Sequence, residues 1–146
     1  MRYWDASALV AILVAEDDTD RVRKWLEDDP KVITWAWTRV EIVSAVERRF
    51  HEDQLTRAER QFLLKRFDAV AEMWDEVTDL RAVRRQAIRL LARHRLRAAD
   101  AAQLGAAVVV AEERGDSRLG FACLDDRLAA AAEIEGFDVL GKEDSG

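Results

Sequence analysis

The sequence predicts an α/β fold of three layers, in which helices cover both faces of a central, mostly parallel sheet of four to five strands. Short runs rich in β-branched and aromatic residues alternate with longer runs whose apolar residues recur at helical spacing. No linker, repeat or low-complexity stretch divides the 146 residues, a length that suits one domain with a full core. Strands that alternate with helices in this way favour parallel pairing through crossover connections.

The first half of the chain predicts two strands and four helices. Two of the helices begin with the signature of a capping box, a threonine followed three residues later by a glutamate. In order, the predicted elements are a strand at Arg2–Trp4, a helix containing Ala8–Leu13, a helix over Asp18–Asp28, a strand over Lys31–Trp37, and helices that start at the capping boxes Thr38–Glu41 and Thr56–Glu59.

The second half predicts three more strands and three more helices. Glycines follow two of these helices, as expected at helix ends. In order, the elements are a strand over Met73–Thr78, helices over Ala82–His94 and Ala98–Glu113, a strand over Leu119–Leu124, a helix over Arg127–Glu135, and a short edge strand at Asp138–Leu140.

Composition narrows the class of protein. The longest apolar stretches, such as Ala6–Ala15, are too short to cross a membrane, and the N-terminus lacks the features of a signal peptide. The single Cys123 excludes an internal disulfide and a cysteine-rich zinc site. These features predict a cytoplasmic protein. The net charge of −6 argues against bulk attraction to nucleic acid, unless several acids are clustered on a metal ion.

Certain acidic residues stand out because they are isolated. The chain has 29 Asp and Glu residues, so a single acid carries little information. However, Asp5 is the only acid in the first fifteen residues, Glu41 is the only one between positions 31 and 45, and Asp100 is the only one between positions 81 and 110. Asp125 and Asp126 end an acid-free stretch that begins at position 117. Acids on a solvated face normally occur in groups, whereas these stand among apolar residues.

The predicted elements bring these acids to one place. Asp5 and Asp125 follow strands, while Glu41 and Asp100 lie in the first turns of helices, and all four positions fall at the same edge of a parallel sheet. Carboxylates gathered there would repel one another unless a cation neutralised them. Oxygen ligands of this kind suit Mg²⁺ or Mn²⁺, which commonly serve phosphate chemistry.

Each acid also has a purely structural interpretation. Asp5 and one member of the Asp125–Asp126 pair can cap helices, Glu41 can close a capping box, and Asp100 can be an ordinary first-turn acid. The coincidence of all four is less expected than any one of them, so the pattern favours a metal site. The sequence leaves open whether Asp125 or Asp126 is its fourth acid.

The acids lie in four characteristic segments, which are Tyr3–Val10 (YWDASALV), Thr38–Glu41 (TRVE), Leu96–Leu104 (LRAADAAQL) and Phe121–Leu128 (FACLDDRL). In this order and at these spacings they resemble the PIN-domain family, and most of all its VapC-type toxins of prokaryotic toxin–antitoxin systems. The resemblance extends from Met1 to about Leu140. It implies a PIN-like nuclease domain over residues 1–141 and a short C-terminal tail over 142–146.

The resemblance also implies a function. Members of this kind are Mg²⁺- or Mn²⁺-dependent endoribonucleases, usually homodimers, which a cognate antitoxin protein holds inactive. Their acidic positions correspond to Asp5, Glu41, Asp100 and Asp125, and Ser7 matches a position that commonly carries a hydroxyl near the metal. Cys123 departs from the family pattern, because a threonine is common there. We assign no catalytic role to this thiol and expect it to be a small buried group.

Basic and aromatic residues offer further candidates. The densest basic run leads directly to Asp100, and its members Arg93, Arg95 and Arg97 are candidates for contacts with RNA phosphates. A solvated helix face is an equally good interpretation of the run. Elsewhere in the chain, Arg39 and Arg48 are further candidates. Trp4 and Trp35 are predicted to lie in the core. Core packing is also the favoured prediction for Trp37, although it could instead stack on a base or line an antitoxin groove.

Other functions fit the residues less well. An aspartyl nucleophile at Asp5 would want a second acid two residues later, where Ser7 stands. A receiver-type signalling domain would want an early acidic pair and a late lysine, whereas the acidic pair here comes late and Lys142 lies near the end. A catalytically silent PIN-like module that binds RNA or protein remains an alternative, against which the intact Asp5, Glu41 and Asp100 argue.

Overall fold

The computed structural model describes residues 1–141, and the predicted tail at 142–146 lies outside the described residues. Its elements confirm the predicted three-layer α/β fold. In chain order they are β1 (Arg2–Trp4), α1 (Ala6–Leu13), α2 (Thr19–Asp28), β2 (Val32–Trp35), α3 (Thr38–His51), α4 (Arg57–Ala71), β3 (Asp75–Val77), α5 (Leu80–Arg93), α6 (Ala98–Arg114), β4 (Gly120–Ala122), α7 (Asp126–Ile134) and β5 (Asp138–Leu140).

The five strands form one parallel sheet in the order β3-β2-β1-β4-β5. The first strand is central, with β2 and then β3 on one side and β4 and then β5 on the other. The strand order therefore reverses at β1. In parallel sheets such a switch opens a crevice beyond the carboxyl ends of the strands, which is where ligands commonly bind.

Side chains that alternate along the strands build a separate core on each face of the sheet. Tyr3 and Phe121 face the layer of α5, α6 and α7, and their rings stack with centroids 5.5 Å apart. Trp4 and Ala122, the next residue of each strand, face the layer of α1 to α4. The sheet edge thus lies between two helical layers, and the helix N-termini that follow the strands point toward it.

The longest helix, α6, packs tightly against α5. At Gly105 a Cβ atom would lie 3.0 Å from the backbone oxygen of Val83, so the small residue permits this close approach. The helix ends at Gly115 in the left-handed conformation with φ of 62°, as predicted for a helix-terminating glycine. No helix within residues 1–141 combines the length and apolar character that a membrane crossing requires.

One of the two predicted capping boxes is wrong. Thr56 and Glu59 form theirs, with hydrogen bonds of 3.1 and 2.8 Å. In contrast, α3 has Trp37 as its N-cap residue without a side-chain cap, and Thr38 is its first helical residue. The Thr38 side chain is fully buried and hydrogen-bonded to Thr34 instead. The carboxylate of Glu41 is therefore not used in capping.

The core prediction holds for Trp4 and Trp35 but is wrong for Trp37, whose side chain is 61% exposed. The predicted strand extends to Trp37, whereas β2 ends at Trp35 and a turn follows. Once the strand has ended, the alternation that buries every second residue no longer applies. The tryptophan therefore lies at the surface, directly before α3.

Candidate active site

The four predicted acids lie on four different elements at the carboxyl edge of the sheet. Asp5 follows β1 and is the N-cap residue of α1, and Asp125 follows β4 and is the N-cap residue of α7. Glu41 and Asp100 lie in the first turns of α3 and α6. Because β1 is hydrogen-bonded to both β2 and β4, these positions surround the point where the strand order reverses.

Electrostatic coupling links the four carboxylates in a closed ring. The charge of Asp125 raises the pKa values of both Asp5 and Asp100. The charges of Asp5 and Asp100 both raise the pKa of Glu41. Each carboxylate therefore interacts with two others, although 120 residues separate the first from the last in the sequence. The sheet has brought together side chains that the sequence predicted to converge.

Burial raises the pKa values of three of these acids in addition to their mutual repulsion. Asp5 is only 4% exposed, and burial is the main reason why its pKa rises from 3.8 to about 6, despite hydrogen bonds from Ser7 and Ala8 that lower it. Burial likewise raises the pKa of the half-buried Glu41 from 4.5 to about 7. The pKa of Asp100 is also raised, mainly by burial and then by Asp125, while the nearby cations Arg97 and Arg127 lower it.

Within the part of the chain that the structure describes, no cation pairs directly with these four carboxylates. Other carboxylates form ion pairs, such as Glu47 with Arg60 at 2.6 Å, but none of the four acids has an ion pair within the described range 1–141. In that range no three Asp, Glu, His or Cys side chains are close enough to form a ready-made metal site. The acids are thus near enough to repel one another but not collapsed onto a common point.

Ser7 links Asp5 to the segment that follows β4 through hydrogen bonds. Its hydroxyl lies 2.8 Å from Oδ1 and 3.0 Å from Oδ2 of Asp5, and it accepts a hydrogen bond of 3.0 Å from the backbone N–H of Leu124. The backbone N–H of Asp5 donates to the carbonyl of Ala122. The segments that follow β1 and β4 are therefore held together at the site, and the carboxylate of Asp5 has a defined orientation.

Gln103 orients Glu41 through a buried network of polar side chains. Its Nε2 donates to Glu41 Oε2 at 3.0 Å and to Thr38 Oγ1 at 2.8 Å, while its Oε1 accepts a hydrogen bond of 2.6 Å from the hydroxyl of Tyr3. Tyr3 in turn accepts from the backbone N–H of Trp35. Both hydrogen-bonding ends of the Gln103 amide are thus used, which fixes its orientation and that of Glu41.

Comparison with known proteins identifies the fold family. The family model that describes the PIN domain matches residues 2–134 of this sequence, which is most of the chain. The chain belongs to the PIN-domain family. Members of this family are generally nucleases that bind RNA and usually a divalent metal ion.

A solved structure has the same fold as this PIN domain. The crystal structure of PAE2754 from Pyrobaculum aerophilum aligns with a TM-score of 0.61 and 23% sequence identity, over 98% of this chain and 92% of the other. No curated protein matches the sequence significantly. The VapC-type toxin subtype predicted from the sequence is not tested by these matches and stays a proposal.

The structure confirms that Asp5 and Asp125 cap helices. The side chain of Asp5 accepts a hydrogen bond from the N–H of Ala8, and that of Asp125 accepts one of 2.9 Å from Leu128. Capping and membership of the acidic ring therefore coexist in the PIN domain. The adjacent Asp126 contributes to none of the pKa shifts of the other three acids, so the structure favours Asp125 as the fourth member.

The sequence interpretation missed the residues that position Glu41. Gln103 is the only polar side chain between positions 101 and 111, and it follows Asp100 by three residues on the same face of α6. This isolation is the same signal that identified the acids, and it could have identified Gln103 had amides been considered with carboxylates. The contribution of Tyr3 carries no such signal, because a strand tyrosine is usually a core residue.

The basic residues divide into two groups. Arg39 is bonded within the protein, to Glu76 at 3.3 Å and to the carbonyl of Ala71 at 3.2 Å, while its predicted contact with RNA stays a prediction. Arg93 and Arg95 line a cavity of about 420 Å³ beside α7, which we call the α7 cavity. Of these two, Arg93 also forms an ion pair with Glu135 at 3.4 Å. Arg127, which the sequence interpretation did not select, completes its cationic wall.

Arg97 interacts electrostatically with one of the four acids, Asp100. Arg97 is the residue before α6 and, together with Arg127, lowers the pKa of Asp100. The α7 cavity is lined by arginines, His94 and apolar residues, without an acid. One end of this cationic surface therefore adjoins the acidic ring of the PIN domain.

The Gln103 network is expected to contribute strongly to stability. Gln103→Leu removes the acceptor of the Tyr3 hydroxyl and the donor to Glu41, while Thr38 keeps its hydrogen bond with Thr34. Buried polar groups that lose a hydrogen bond each cost about 1–3 kcal/mol. We expect the free energy of unfolding, measured with urea, to fall by about 2–4 kcal/mol. Gln61→Leu on the exposed face of α4 is the control and should change it by less than about 0.5 kcal/mol. Equal effects would show that the network is energetically unimportant.

The raised pKa of Asp5 predicts how the stability depends on pH. Without divalent ions, a carboxyl whose pKa is higher in the folded state contributes stability below its unfolded pKa of 3.8, and this contribution is lost as the pH rises through about 6. Compared with Asp5→Asn, the wild type should therefore lose on the order of 3 kcal/mol between pH 4 and pH 8. Urea unfolding in EDTA measures this, with the exposed Asp68→Asn as control. A constant difference between wild type and Asp5→Asn across this range would contradict the assignment.

Proposed function

We propose that this PIN domain is a Mg²⁺- or Mn²⁺-dependent endoribonuclease that acts as the toxin of a toxin–antitoxin pair. The observation that carries the proposal is the ring of four coupled carboxylates, Asp5, Glu41, Asp100 and Asp125, none of which has a cationic partner within residues 1–141. Such a ring is stable near neutral pH when an external cation neutralises it.

The donor set fits a hard divalent cation. Carboxylate oxygens are the ligands that Mg²⁺ and Mn²⁺ prefer, and Mg²⁺ usually keeps several water molecules and takes only one or two carboxylates directly. Acids that are coupled but not clustered around one point suit this mode of binding. Cys123 adds no soft ligand, because burial raises the pKa of its thiol, which donates to the carbonyl of Asp125.

The residues of the chain have distinct proposed roles. Asp5, Asp100 and Asp125 would hold the cation with Glu41, and when bound the cation would supply an activated water and neutralise phosphate charge. Ser7 holds the Asp5 carboxylate in one orientation. Glu41, whose Oε2 is bound by Gln103 and whose pKa is raised to about 7, can accept or hold a proton at Oε1 near neutral pH.

The α7 cavity supports RNA as the substrate. Its arginines offer contacts to phosphates, and no acid lines the cavity wall, although a phosphate bound by Arg93 must compete with the Glu135 carboxylate at 3.4 Å. Arg97 and Arg127 extend the positive charge to Asp100. A strand bound there would approach the acidic ring along a cationic surface. Local charge of this kind offsets the net charge of −6.

Exposed apolar residues support protein partners. Trp37 and Val40 are exposed beside Glu41, where a cognate antitoxin could cover them together with the site. Helix α5 exposes Leu80, Ile88 and Leu91 on one face, as expected if a second copy packs there in a homodimer. The alternative, a catalytically silent module, has the same surfaces but would bind RNA without cutting it.

Removal of one acid distinguishes a shared metal site from independent helix acids. Asp100→Asn should abolish cleavage of single-stranded RNA in Mn²⁺ or Mg²⁺, and in EDTA it should melt at the same or a higher temperature than wild type, because repulsion is relieved. Mg²⁺ should raise the wild-type melting temperature, by about 2.7 kcal/mol of stability at a hundredfold excess over its dissociation constant, and that of the variant much less.

Asp126→Asn is the matched control, since it removes an exposed acid from the same edge and should retain both cleavage and the response to Mg²⁺. Asp5→Asn should behave like Asp100→Asn in cleavage. Cleavage by the wild type that persists in excess EDTA would exclude the metal mechanism, and binding without any cleavage would favour the silent module.

The arginines before Asp100 are expected to bind RNA through its phosphates. Replacing Arg93, Arg95 and Arg97 together with alanine should weaken RNA binding and make it less dependent on salt, because each phosphate contact contributes about 0.7 to the slope of log K against log salt for single strands. The affinity for Mn²⁺ should stay nearly unchanged. Replacing Arg57, Lys65 and Arg66 of α4 removes equal charge elsewhere and is the control. An unchanged salt slope in the first variant would indicate a merely solvated surface.

A further inference from the structure

A second cavity adjoins the acidic ring on the opposite face of the sheet from the α7 cavity. It has a volume of about 430 Å³ and lies between α1 and α3, with Ser7 and Glu41 at one end and Arg48 and Arg49 at the other, and we call it the α3 cavity. The helices that form it belong to the layer of α1 to α4, whereas the α7 cavity lies in the other layer. The carboxylates thus stand at an edge with a cavity on each side.

Helical spacing aligns the α3 cavity with the site. Glu41, Ala45 and Arg48 occupy one face of α3, and Arg48 lies seven residues, or about 10 Å along the axis, beyond Glu41. A chain bound in the cavity would therefore extend away from the carboxylates toward the guanidinium groups. The side chain of Arg48 is exposed and forms no hydrogen bond or ion pair within residues 1–141, so its charge is free for a ligand.

The acids at the far end of the cavity are already neutralised. Glu16 pairs with Arg49 at 3.5 Å, and Asp18 pairs with Arg21 at 2.8 Å. Arg49 also donates to the carbonyl of Ala45 at 3.0 Å, which holds its side chain along the cavity. The unpaired cation of the cavity is thus Arg48, and an anion that displaces Glu16 would gain Arg49 as a second contact.

We propose that the α3 cavity binds the single-stranded RNA segment on one side of the scissile phosphate, with Arg48 contacting a backbone phosphate and Arg49 released from Glu16 to assist. This inference rests on the proposed nuclease function and extends it. RNA then occupies both cavities and crosses the acidic ring between them, which places the cut inside a strand rather than at its end.

The test compares Arg48→Ala with Arg57→Ala, which removes an exposed arginine from α4. In Mn²⁺, Arg48→Ala should raise the KM for single-stranded RNA about tenfold with kcat within twofold, because a charge-assisted contact to substrate is lost. In EDTA, where no cleavage occurs, fluorescence anisotropy should show weaker binding of the same RNA and a salt slope shallower by about 0.7. Arg57→Ala should change none of these.

Two further experiments test whether RNA binds in the α3 cavity. Glu16→Gln frees Arg49 and should tighten RNA binding severalfold, whereas Asp68→Asn, which removes an exposed acid from α4, should not. With substrates shortened stepwise from each end, the penalty of Arg48→Ala should disappear once the segment on one side of the cut has been removed, and persist when the other side is shortened.

The outcomes separate this proposal from the proposed function. If the wild type cuts RNA but Arg48→Ala equals Arg57→Ala in KM, affinity and salt slope, the α3 cavity is not a substrate site and the nuclease assignment stands. If the wild type binds RNA without cutting it and Arg48→Ala weakens the binding, the cavity is a binding site in a protein that is not a nuclease. An Arg48 effect that is the same for every shortened substrate would also overturn the proposal.

Discussion

Repulsion among Asp5, Glu41, Asp100 and Asp125 is the interaction on which the rest of this structure depends. Within residues 1–141 the fold brings four acids to one edge without pairing them to arginine or lysine, while it neutralises carboxylates elsewhere through ion pairs such as Glu47 with Arg60. Burial makes the arrangement costlier and raises the pKa values of three of the acids. A fold tolerates such a cost when the site has a use that requires uncompensated charge.

The surrounding contacts oppose this repulsion by holding each acid separately. Asp5 and Asp125 are fixed by the N–H groups of the helices that they cap, Asp5 also by Ser7, and Glu41 by Gln103. Helix N-termini at the same edge add partial positive charge. The acids therefore remain near one another without closing onto one point, an arrangement that leaves room for a cation with its bound waters and for a phosphate.

The cavities on the two sides of the sheet have different proposed roles in RNA binding. No acid lines the α7 cavity, although Arg93 in its wall pairs with Glu135, whereas the α3 cavity is lined by Glu16 itself, which pairs with Arg49 beside the free Arg48. Affinity on the first side is expected to come mainly from charge, and selectivity on the second from the cost of displacing Glu16. An acidic protein can bind an acidic polymer in this way because its positive charge is local.

The sequence by itself determined the order of elements, the parallel sheet and the edge at which Asp5, Glu41, Asp100 and Asp125 meet, because local periodicity and chain direction suffice to place residues that follow strands or begin helices. Only the tertiary structure decided what depends on contacts between distant segments. Gln103 meets Glu41 across 62 residues and Ser7 meets Leu124 across 117, and no local pattern encodes these pairs. The same is true of the exposure of Trp37, the ion pair that engages Arg39, and the alignment of Arg48 with Glu41 in one cavity, since each follows from how helices pack on the sheet and not from their own sequences.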